Sequence, residues 1–134
     1  MYQNDEIENK VTQLRKGILE LAILSALYRK SHYGYSLVRD LAAAGALELK
    51  EGTIYPILSR LAKEGLVRPD WVESNQGPPR KYYALTAAGQ NMCEALNREF
   101  RSLVLLVEEA GKGIAAASDV QAMKRVILGD HDHE

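Results

Sequence analysis

The segment from Glu51 to Thr86 constrains the fold of this chain more than any other part of the sequence. It begins with a predicted helix, in which apolar residues recur at a spacing that places them on one side. These inward-facing residues are Ile54, Ile57, Leu58 and Leu61. Glu64 and Gly65 end the helix, because glycine readily adopts the backbone conformation that stops one. A helix with one buried face is therefore predicted at the start of the segment.

Two stretches with strand character follow this helix. The first runs from Leu66 to Glu73 and contains Pro69, which we expect to interrupt the strand and to suit an edge position. Residues 74–79 are predicted to form the loop, and Arg80 to Leu85 the returning strand. Neighbouring residues of a strand point to opposite faces, so at most one of Tyr82 and Tyr83 is expected to contact a ligand.

The outward face of the predicted helix is polar and basic, with Arg60 and Lys63 as its cations. The stiff Gly77-Pro78-Pro79 sequence could place Arg80 and Lys81 beside a groove or its phosphates at a small cost in ordering. Cations and hydroxyls bind phosphates, and a helix face that fits the major groove can reach base edges. A helix beside a basic hairpin is the winged-helix arrangement, which is used mainly to bind DNA. The alternative is a solvated helix face beside a purely structural hairpin.

Charge is distributed unevenly along the chain, although the net charge is −1. Residues 10–85 contain twelve Lys and Arg against seven Asp and Glu, a local charge of +5. Residues 1–9 and 86–134 each carry −3. Because local charge governs phosphate binding more than the total does, this partition favours DNA binding by the middle of the chain.

Two helices are predicted before this segment. The first is apolar nearly all round from Gly17 to Tyr28, so that part should be buried on several sides. Its first half carries a narrow apolar stripe made of Ile7, Val11, Leu14 and Ile18. Ser31 is a predicted N-cap for a second helix from about Tyr33 to Ala44, whose inner face carries Leu37 and Leu41.

A long helix is predicted after Thr86, its N-cap. Apolar residues alternate at spacings of three and four, as in a heptad seam, at Cys93, Leu96, Phe100, Leu103, Val107, Ala110 and Ile114. Such a seam packs either on its own domain or on a second copy of the chain, and we favour the second copy. The predicted dimer contacts are Ile7, Val11, Leu14, Leu96, Phe100, Leu103, Val107 and Ala110. Ser118 is a possible cap for a last short helix from Val120 to Leu128.

These elements predict a mainly α protein with a small β-hairpin (α+β), made of a winged helix-turn-helix domain and a long C-terminal dimerisation helix. The predicted ranges are 1–13 for an N-terminal helical arm in the dimer contact and 14–86 for the DNA-binding domain. Residues 87–129 are assigned to the dimerisation helix and the short terminal helix, and residues 130–134 to a flexible tail.

Other kinds of function find little support in the sequence. No spacing of Ser, His and Asp singles out a nucleophile, and no glycine-rich phosphate loop is present, so no enzyme activity and no cofactor are predicted. Cys93 is expected to be a small core residue, and a single cysteine fits a reducing cytoplasm. No metal site is predicted, because His131 and His133 lie in a short terminal tail. The acidic start is unlike a secretory signal, and no apolar run is long enough for a membrane span.

Four blocks of sequence resemble the PadR family of bacterial transcriptional regulators. They are Gly34-Tyr35, Glu51-Gly-Thr-Ile-Tyr-Pro-Ile-Leu-Ser-Arg-Leu, Glu64-Gly-Leu-Val and Gly77-Pro-Pro-Arg-Lys-Tyr-Tyr-Ala-Leu-Thr. The resemblance covers roughly Leu14 to Gly89 and is closest to the branch with a short C-terminal region. It implies a homodimeric winged-helix repressor that binds a palindromic operator on double-stranded DNA. It also implies release by a small aromatic or drug-like effector.

The resemblance and the residue pattern together predict a DNA-binding surface. Its residues are Tyr33, Tyr35, Ser36, Thr53, Tyr55, Pro56, Ser59, Arg60, Lys63, Gln76, Gly77, Pro78, Arg80 and Lys81. Some members of the family hold flat ligands between aromatic residues at the dimer interface. Here the long helix offers Phe100 alone, and Trp71 in the hairpin is expected to pack rather than to bind a ligand. The alternative function is a winged-helix module that binds another protein through its polar helix face.

Overall fold

The computed structural model describes residues 2–45 and 49–114, in seven elements. In chain order they are α1 (Tyr2–Arg29), β1 (His32–Tyr33), α2 (Gly34–Ala43), α3 (Glu51–Lys63), β2 (Val67–Ser74), β3 (Gly77–Leu85) and α4 (Ala87–Ala110). The three strands form one antiparallel sheet in the order β1-β3-β2. The predicted fold class is confirmed. The predicted cap at Ser118, the last short helix and the tail lie outside the described residues.

The core lies where α1, α2 and α3 meet the base of the hairpin. Its fully buried side chains from these helices are Ile23, Leu24, Leu37, Ile54, Leu58 and Leu61. Leu66, Val67, Tyr83 and Cys93 close it from the hairpin and α4. The inner faces predicted for α2 and α3 are thus confirmed, except that Ile57 is half-buried. Cys93 is the small core residue that was expected.

Helix α1 is continuous across the boundary predicted between residues 13 and 14. Its second half reaches the core through Ile23, Leu24 and Leu27, as the apolar stretch predicted. Its first half extends beyond the core, and the side chains of Ile7 and Leu14 are 60% and 71% exposed. One helix therefore supplies both a core element and an unburied apolar stripe.

None of the helices in the described part of the chain combines the length and the apolar character that a membrane span requires.

The start of α2 differs from the sequence prediction. His32 and Tyr33 form a short strand that pairs with Tyr83 and Tyr82 of β3. Tyr33, rather than Ser31, occupies the N-cap position, and no side chain caps the helix. The prediction failed because the extended backbone at this point is stabilised by hydrogen bonds to a strand far along the chain, which no local pattern reports.

The hairpin is longer and its turn tighter than predicted. Ser74 pairs with Gly77, so the turn is formed by Asn75 and Gln76, and the glycine and both prolines of the expected tip belong to β3. Gly77 has a φ of 154°, which favours glycine at the start of the strand. Pro69 does not interrupt β2. Proline has no backbone N–H to donate, but β2 is an edge strand, and no hydrogen bond to a further strand is needed on its outer side.

Thr86 joins the end of the hairpin to α4 and to the end of α3. Its hydroxyl donates to the Gly65 carbonyl at 2.7 Å and accepts from the Gly89 amide at 3.0 Å. The predicted N-cap is therefore confirmed. Helix α4 ends at Ala110, so Ile114, the last residue of the predicted seam, lies beyond the helix.

Candidate nucleic-acid interface

The outer face of α3 is a continuous polar surface. The buried side chains on the inner face fix the rotation of the helix and leave the opposite side in solvent. All six residues predicted for DNA binding on this helix are exposed: Thr53, Tyr55, Pro56, Ser59, Arg60 and Lys63. Pro56 lies inside the helix, beyond its first turn, so the Gly52 carbonyl lacks the usual amide donor from residue 56.

Arg60 is held by an ion pair that the sequence did not reveal. Its guanidinium donates to Glu20 Oε2 on α1 at 2.8 Å, and the two side chains are 52% and 27% exposed. Exposed ion pairs of this kind contribute about 0–1 kcal/mol. The guanidinium also has five N–H donors, so a phosphate can share or replace the carboxylate at small cost.

Tyr55 is positioned by the start of α2. A Cβ atom on Gly34 would overlap the Tyr55 phenol, so glycine at this position lets the two helices approach. The phenol donates to Glu51 Oε1 at 3.1 Å. Burial, and then the hydrogen bond to Glu51, raise the pKa of Tyr55, so the hydroxyl remains a hydrogen-bond donor at neutral pH.

Aromatic rings and two arginines cluster where β1 meets α2 and β3. Tyr33 lies 6.4 Å from Tyr35 and 5.2 Å from Tyr82 between ring centroids. The Arg80 guanidinium sits 4.6 Å from the centroid of Tyr33, and that of Arg39 sits 5.7 Å from the centroid of Tyr35. The rings hold both cations at the surface by cation–π attraction, which leaves the guanidinium edges free to donate.

Ser36 has internal partners. Its hydroxyl donates to the Tyr33 carbonyl at 3.0 Å, so the contact between Ser36 Oγ and His32 Nδ1 at 2.9 Å requires a proton on that ring nitrogen. His32 is 1% exposed, and its Nε2 lies 3.4 Å from Asp40 Oδ2 without a hydrogen bond. Burial lowers the pKa of His32, against the opposing effect of Asp40. No local pattern in the sequence indicates that this histidine is buried.

The hairpin presents its basic residues on both faces. Lys81 lies two positions from Tyr83, which is 6% exposed, and Arg80 lies two positions from the half-buried Tyr82. The prediction that the two tyrosines point in opposite directions is confirmed. Arg80 and Lys81 therefore leave opposite faces of β3, although both line a cleft beside α3. Gln76, Gly77 and Pro78 are exposed at the turn and the start of β3.

A cleft of about 490 Å³ separates the hairpin from α3. It brings together residues from four elements: Tyr33, Gly34, Tyr55, Ser59, Trp71, Arg80, Lys81 and Tyr83. Trp71 is 70% exposed, so the expectation that it packs was wrong. Its strand continues past the edge of the core, which leaves the indole in solvent.

The predicted dimer residues divide into two groups. Leu96 and Phe100 are half-buried, and Leu96 packs on the core of its own chain, as does Cys93. Leu103 and Val107 are 47% and 68% exposed, Ala110 is exposed, and Val11 on α1 is half-buried. Val104, Leu105 and Leu106 are also exposed, so α4 is apolar all round over residues 103–107. The two halves of α4 therefore differ: the first packs on the core of its own chain, and the second leaves its apolar side chains exposed.

Within residues 2–45 and 49–114, no group of three His, Cys, Asp or Glu side chains is placed to hold a metal ion. The predicted absence of a metal site in the terminal tail concerns residues outside the described part of the chain.

Comparison with known proteins identifies the family and agrees with the fold. The family model of the transcriptional regulator PadR-like family matches residues 23–95. A PadR-like transcription factor from Bacteroides fragilis is 39% identical, covers 76% of this chain and 98% of its own, and has a TM-score of 0.66. A PadR-like transcriptional regulator from Bacillus cereus is 35% identical, with 75% and 98% covered and a TM-score of 0.68. A PadR family regulator from Eggerthella lenta is 32% identical, with 84% and 98% covered and a TM-score of 0.71.

Proposed function

The chain belongs to the PadR-like family of transcriptional regulators, and from this membership we propose that it is a homodimeric repressor that binds a palindromic operator in the cytoplasm. Family membership implies regulation of transcription through DNA binding. Transcriptional regulators are generally not enzymes, so we propose no catalytic role. Repression, the dimer and release by an effector are the further parts of the proposal.

The observation that carries the proposal is the polar outer face of α3 beside a basic hairpin. With α3 in the major groove, the exposed Thr53, Ser59 and Lys63 face base edges and phosphates. The hairpin then lies along the flanking backbone or the neighbouring groove, where Arg80 and Lys81 neutralise phosphates.

Two copies are needed to read a palindrome, and the exposed apolar surfaces of α1 and α4 support a two-fold dimer. Leu103 and Val107 of one copy would cover Ile7 and Leu14 of the other, and these four side chains are exposed in the single chain. Such a dimer places the two α3 helices on successive major grooves when their separation is about 34 Å.

An effector is supported by a second cleft, of about 370 Å³, between α1 and α4. Ser25, Tyr28, Cys93 and Asn97 line it, and Asn97 donates to Ser25 Oγ at 3.2 Å. A ligand that binds this cleft more tightly in one arrangement of the helices would shift the affinity for the operator by linkage.

The test begins with selection of bound sequences from a random duplex pool, followed by affinity measurements over a salt series. We expect a palindrome, and a steep loss of affinity as salt increases. The Arg60→Ala/Lys81→Ala variant should bind more weakly, and its log–log salt slope should be smaller by about two, since each phosphate contact contributes about 0.9. Lys10→Ala/Lys112→Ala removes the same charge from exposed sites away from α3 and the hairpin, and should change the slope little.

The competing function is a winged-helix module that binds another protein through the α3 face. Under that alternative, the chain would bind no duplex even at low salt, and selection would yield no preferred sequence. Either result would overturn the proposal of an operator-binding repressor.

A further inference from the structure

Trp71 occupies an unusual place for the largest apolar side chain of the protein. It pairs with Lys81 across the hairpin, two pairs further out than Pro69–Tyr83 and therefore on the same face of the sheet. Tyr83 on that face is buried in the core, yet Trp71 is 70% exposed. Trp71 and Lys81 therefore extend the inner face of the hairpin beyond the edge of the core.

The surroundings of Trp71 are rich in hydrogen-bond donors. Lys81 Nζ lies 5.8 Å from the ring centroids of both Trp71 and Tyr83, which keeps the ammonium over the cleft beside α3. Ser59 and Arg80 line the same cleft as Trp71, and the Arg80 guanidinium lies 4.6 Å from the centroid of the Tyr33 ring. No acidic side chain is among the described residues that line the cleft, and the Glu51 carboxylate accepts a hydrogen bond from the phenol of Tyr55, one of the lining residues. Two cations and two neutral donors around an open cleft suit an oxyanion rather than an apolar ligand.

We propose that Trp71 is a DNA contact, whose indole N–H acts together with Lys81 to hold one phosphodiester of the duplex in the cleft between the hairpin and α3. This inference rests on the proposed function and adds to it a residue and the group that the residue binds. The cleft borders the outer face of α3, so a duplex seated on that face must bring its backbone past the cleft. An indole suits this position, since its N–H donates to a phosphate oxygen while its ring packs on the deoxyribose.

Trp71 is the single tryptophan of the chain, so its emission reports on this site alone. The first experiment measures iodide quenching of that emission in the full-length protein, with and without a duplex carrying the selected palindrome. We expect the duplex to shift the emission and to reduce quenching, in step with binding followed by the anisotropy of a fluorescein label on the DNA. A random-sequence duplex at low salt should also protect the indole, because a phosphate contact does not depend on the base sequence.

The second experiment compares the affinities of substituted proteins for the same duplex. Trp71→Ala should bind about tenfold more weakly, as expected for the loss of a hydrogen bond to a charged group. Its salt slope should be unchanged, because the indole is neutral, whereas Lys81→Ala should lower the slope by about one. If both side chains hold the same phosphate, the double variant should lose less than the product of the two single effects.

Val72→Ala is the matched control, since Val72 is an exposed apolar residue of the same strand that points to the opposite face. Its affinity should equal that of the unchanged protein, and all variants should keep the same circular dichroism spectrum and thermal midpoint.

The outcomes separate this inference from the function on which it rests. Duplex binding with unchanged emission and an unaffected Trp71→Ala variant would overturn the role of Trp71 and leave the DNA-binding regulator intact. Absence of binding to any duplex would overturn both. Equal protection by inorganic phosphate at the same concentration would indicate a small-anion site and overturn the assignment to the DNA backbone.

Discussion

Gly34 shows how a single residue connects two separate parts of the sequence. A Cβ atom at this position would overlap the phenol of Tyr55, so any larger residue would have to displace that ring. Gly34-Tyr35 and Thr53-Ile-Tyr-Pro are therefore not independent motifs: one makes the space that the other fills. This contact fixes an exposed phenol on the outer face of α3 against the first turn of α2, so it determines the placement of a predicted DNA-binding residue.

His32 should make the stability of the fold depend on pH. Burial lowers its pKa in the folded state, whereas the unfolded chain has the ordinary value of about 6.5. Between these two values the unfolded state binds a proton that the folded state does not. The contribution to stability is therefore complete above about pH 6.5 and is lost as the pH falls through the folded-state pKa, by at most about 1.4 kcal/mol per pH unit.

The measurement is urea denaturation at a fixed protein concentration, from pH 7.5 to 5. His32→Asn is the reference, because its amide can donate to Ser36 as Nδ1 does and cannot be protonated in this range. Asp40, Lys30 and Arg29, the charged groups that act on the ring, are present in both proteins. We expect the free energy of unfolding to fall more steeply below pH 6.5 in the protein with histidine, and parallel curves would contradict the prediction.

The role of a residue could be predicted from the sequence when its partners lie nearby in the chain, and could not when they come from distant segments. Thr86 could be predicted because its partner, the Gly89 amide, lies three residues away. The burial of His32 and the exposure of Trp71 could not, since both depend on where the hairpin lies relative to the helices. Arg60 is an intermediate case, because its exposed position follows from helical periodicity whereas its partner Glu20 comes from another helix.

At the scale of elements, the same distinction applies. The inner face of α3 follows from spacing within one helix, and the structure agrees with it. Strand β1 has two residues and exists through its pairing with β3, so no stretch of sequence predicts it. The predicted hairpin turn is too long for a related reason: Gly77, Pro78 and Pro79 have loop-like composition, yet pairing with β2 includes Gly77 in a strand.

The junction at Thr86 joins three elements through one hydroxyl, and its removal should destabilise the whole fold. In Thr86→Val, the Gly89 amide loses its acceptor and the Gly65 carbonyl loses its donor, while the shape of the side chain is retained. We expect the free energy of unfolding to fall by about 1–2 kcal/mol, the usual effect of losing an N-cap. Thr12→Val makes the same chemical change at an exposed site on α1 and should have little effect in the same urea titration. Equal values for the two variants would show that the hydroxyl is not a significant part of the junction.

At the scale of the whole molecule, the single chain leaves much of its apolar surface in water. The exposed fractions of Leu105, Leu106 and Val107 are 60% or more, on a helix that extends past the core. Burial of such surface stabilises by roughly 25 cal/mol per Å², so pairing of two chains over these helices has a clear driving force.

Val107→Glu should therefore convert the protein from a dimer to a monomer at micromolar concentration. A carboxylate buried without a partner strongly disfavours an apolar interface, yet the same substitution costs little at a site that faces water. Sedimentation velocity over a range of concentrations provides the measurement, with Val72→Glu on the exposed hairpin as the control for the same chemical change. An unchanged protein that sediments as a monomer would contradict the dimer, and a dimeric Val107→Glu variant would contradict this interface.

The hydrogen bonds of Thr86 also give the molecule a mechanical property. They bind the first turn of α4 to Gly65, just after the C-cap of α3, and a Cβ atom on Gly89 would overlap the carbonyl of Leu66, so α4 begins in direct contact with the residues that follow α3. Helix α4 has 24 residues, a length of about 36 Å at 1.5 Å per residue. The attached end of α4 therefore lies beside the end of α3, and the helix can tilt about that end. A tilt of about 5° moves its far end by about 3 Å over that length, so in the proposed dimer a small change in how two copies pack would rotate the proposed DNA-binding surface.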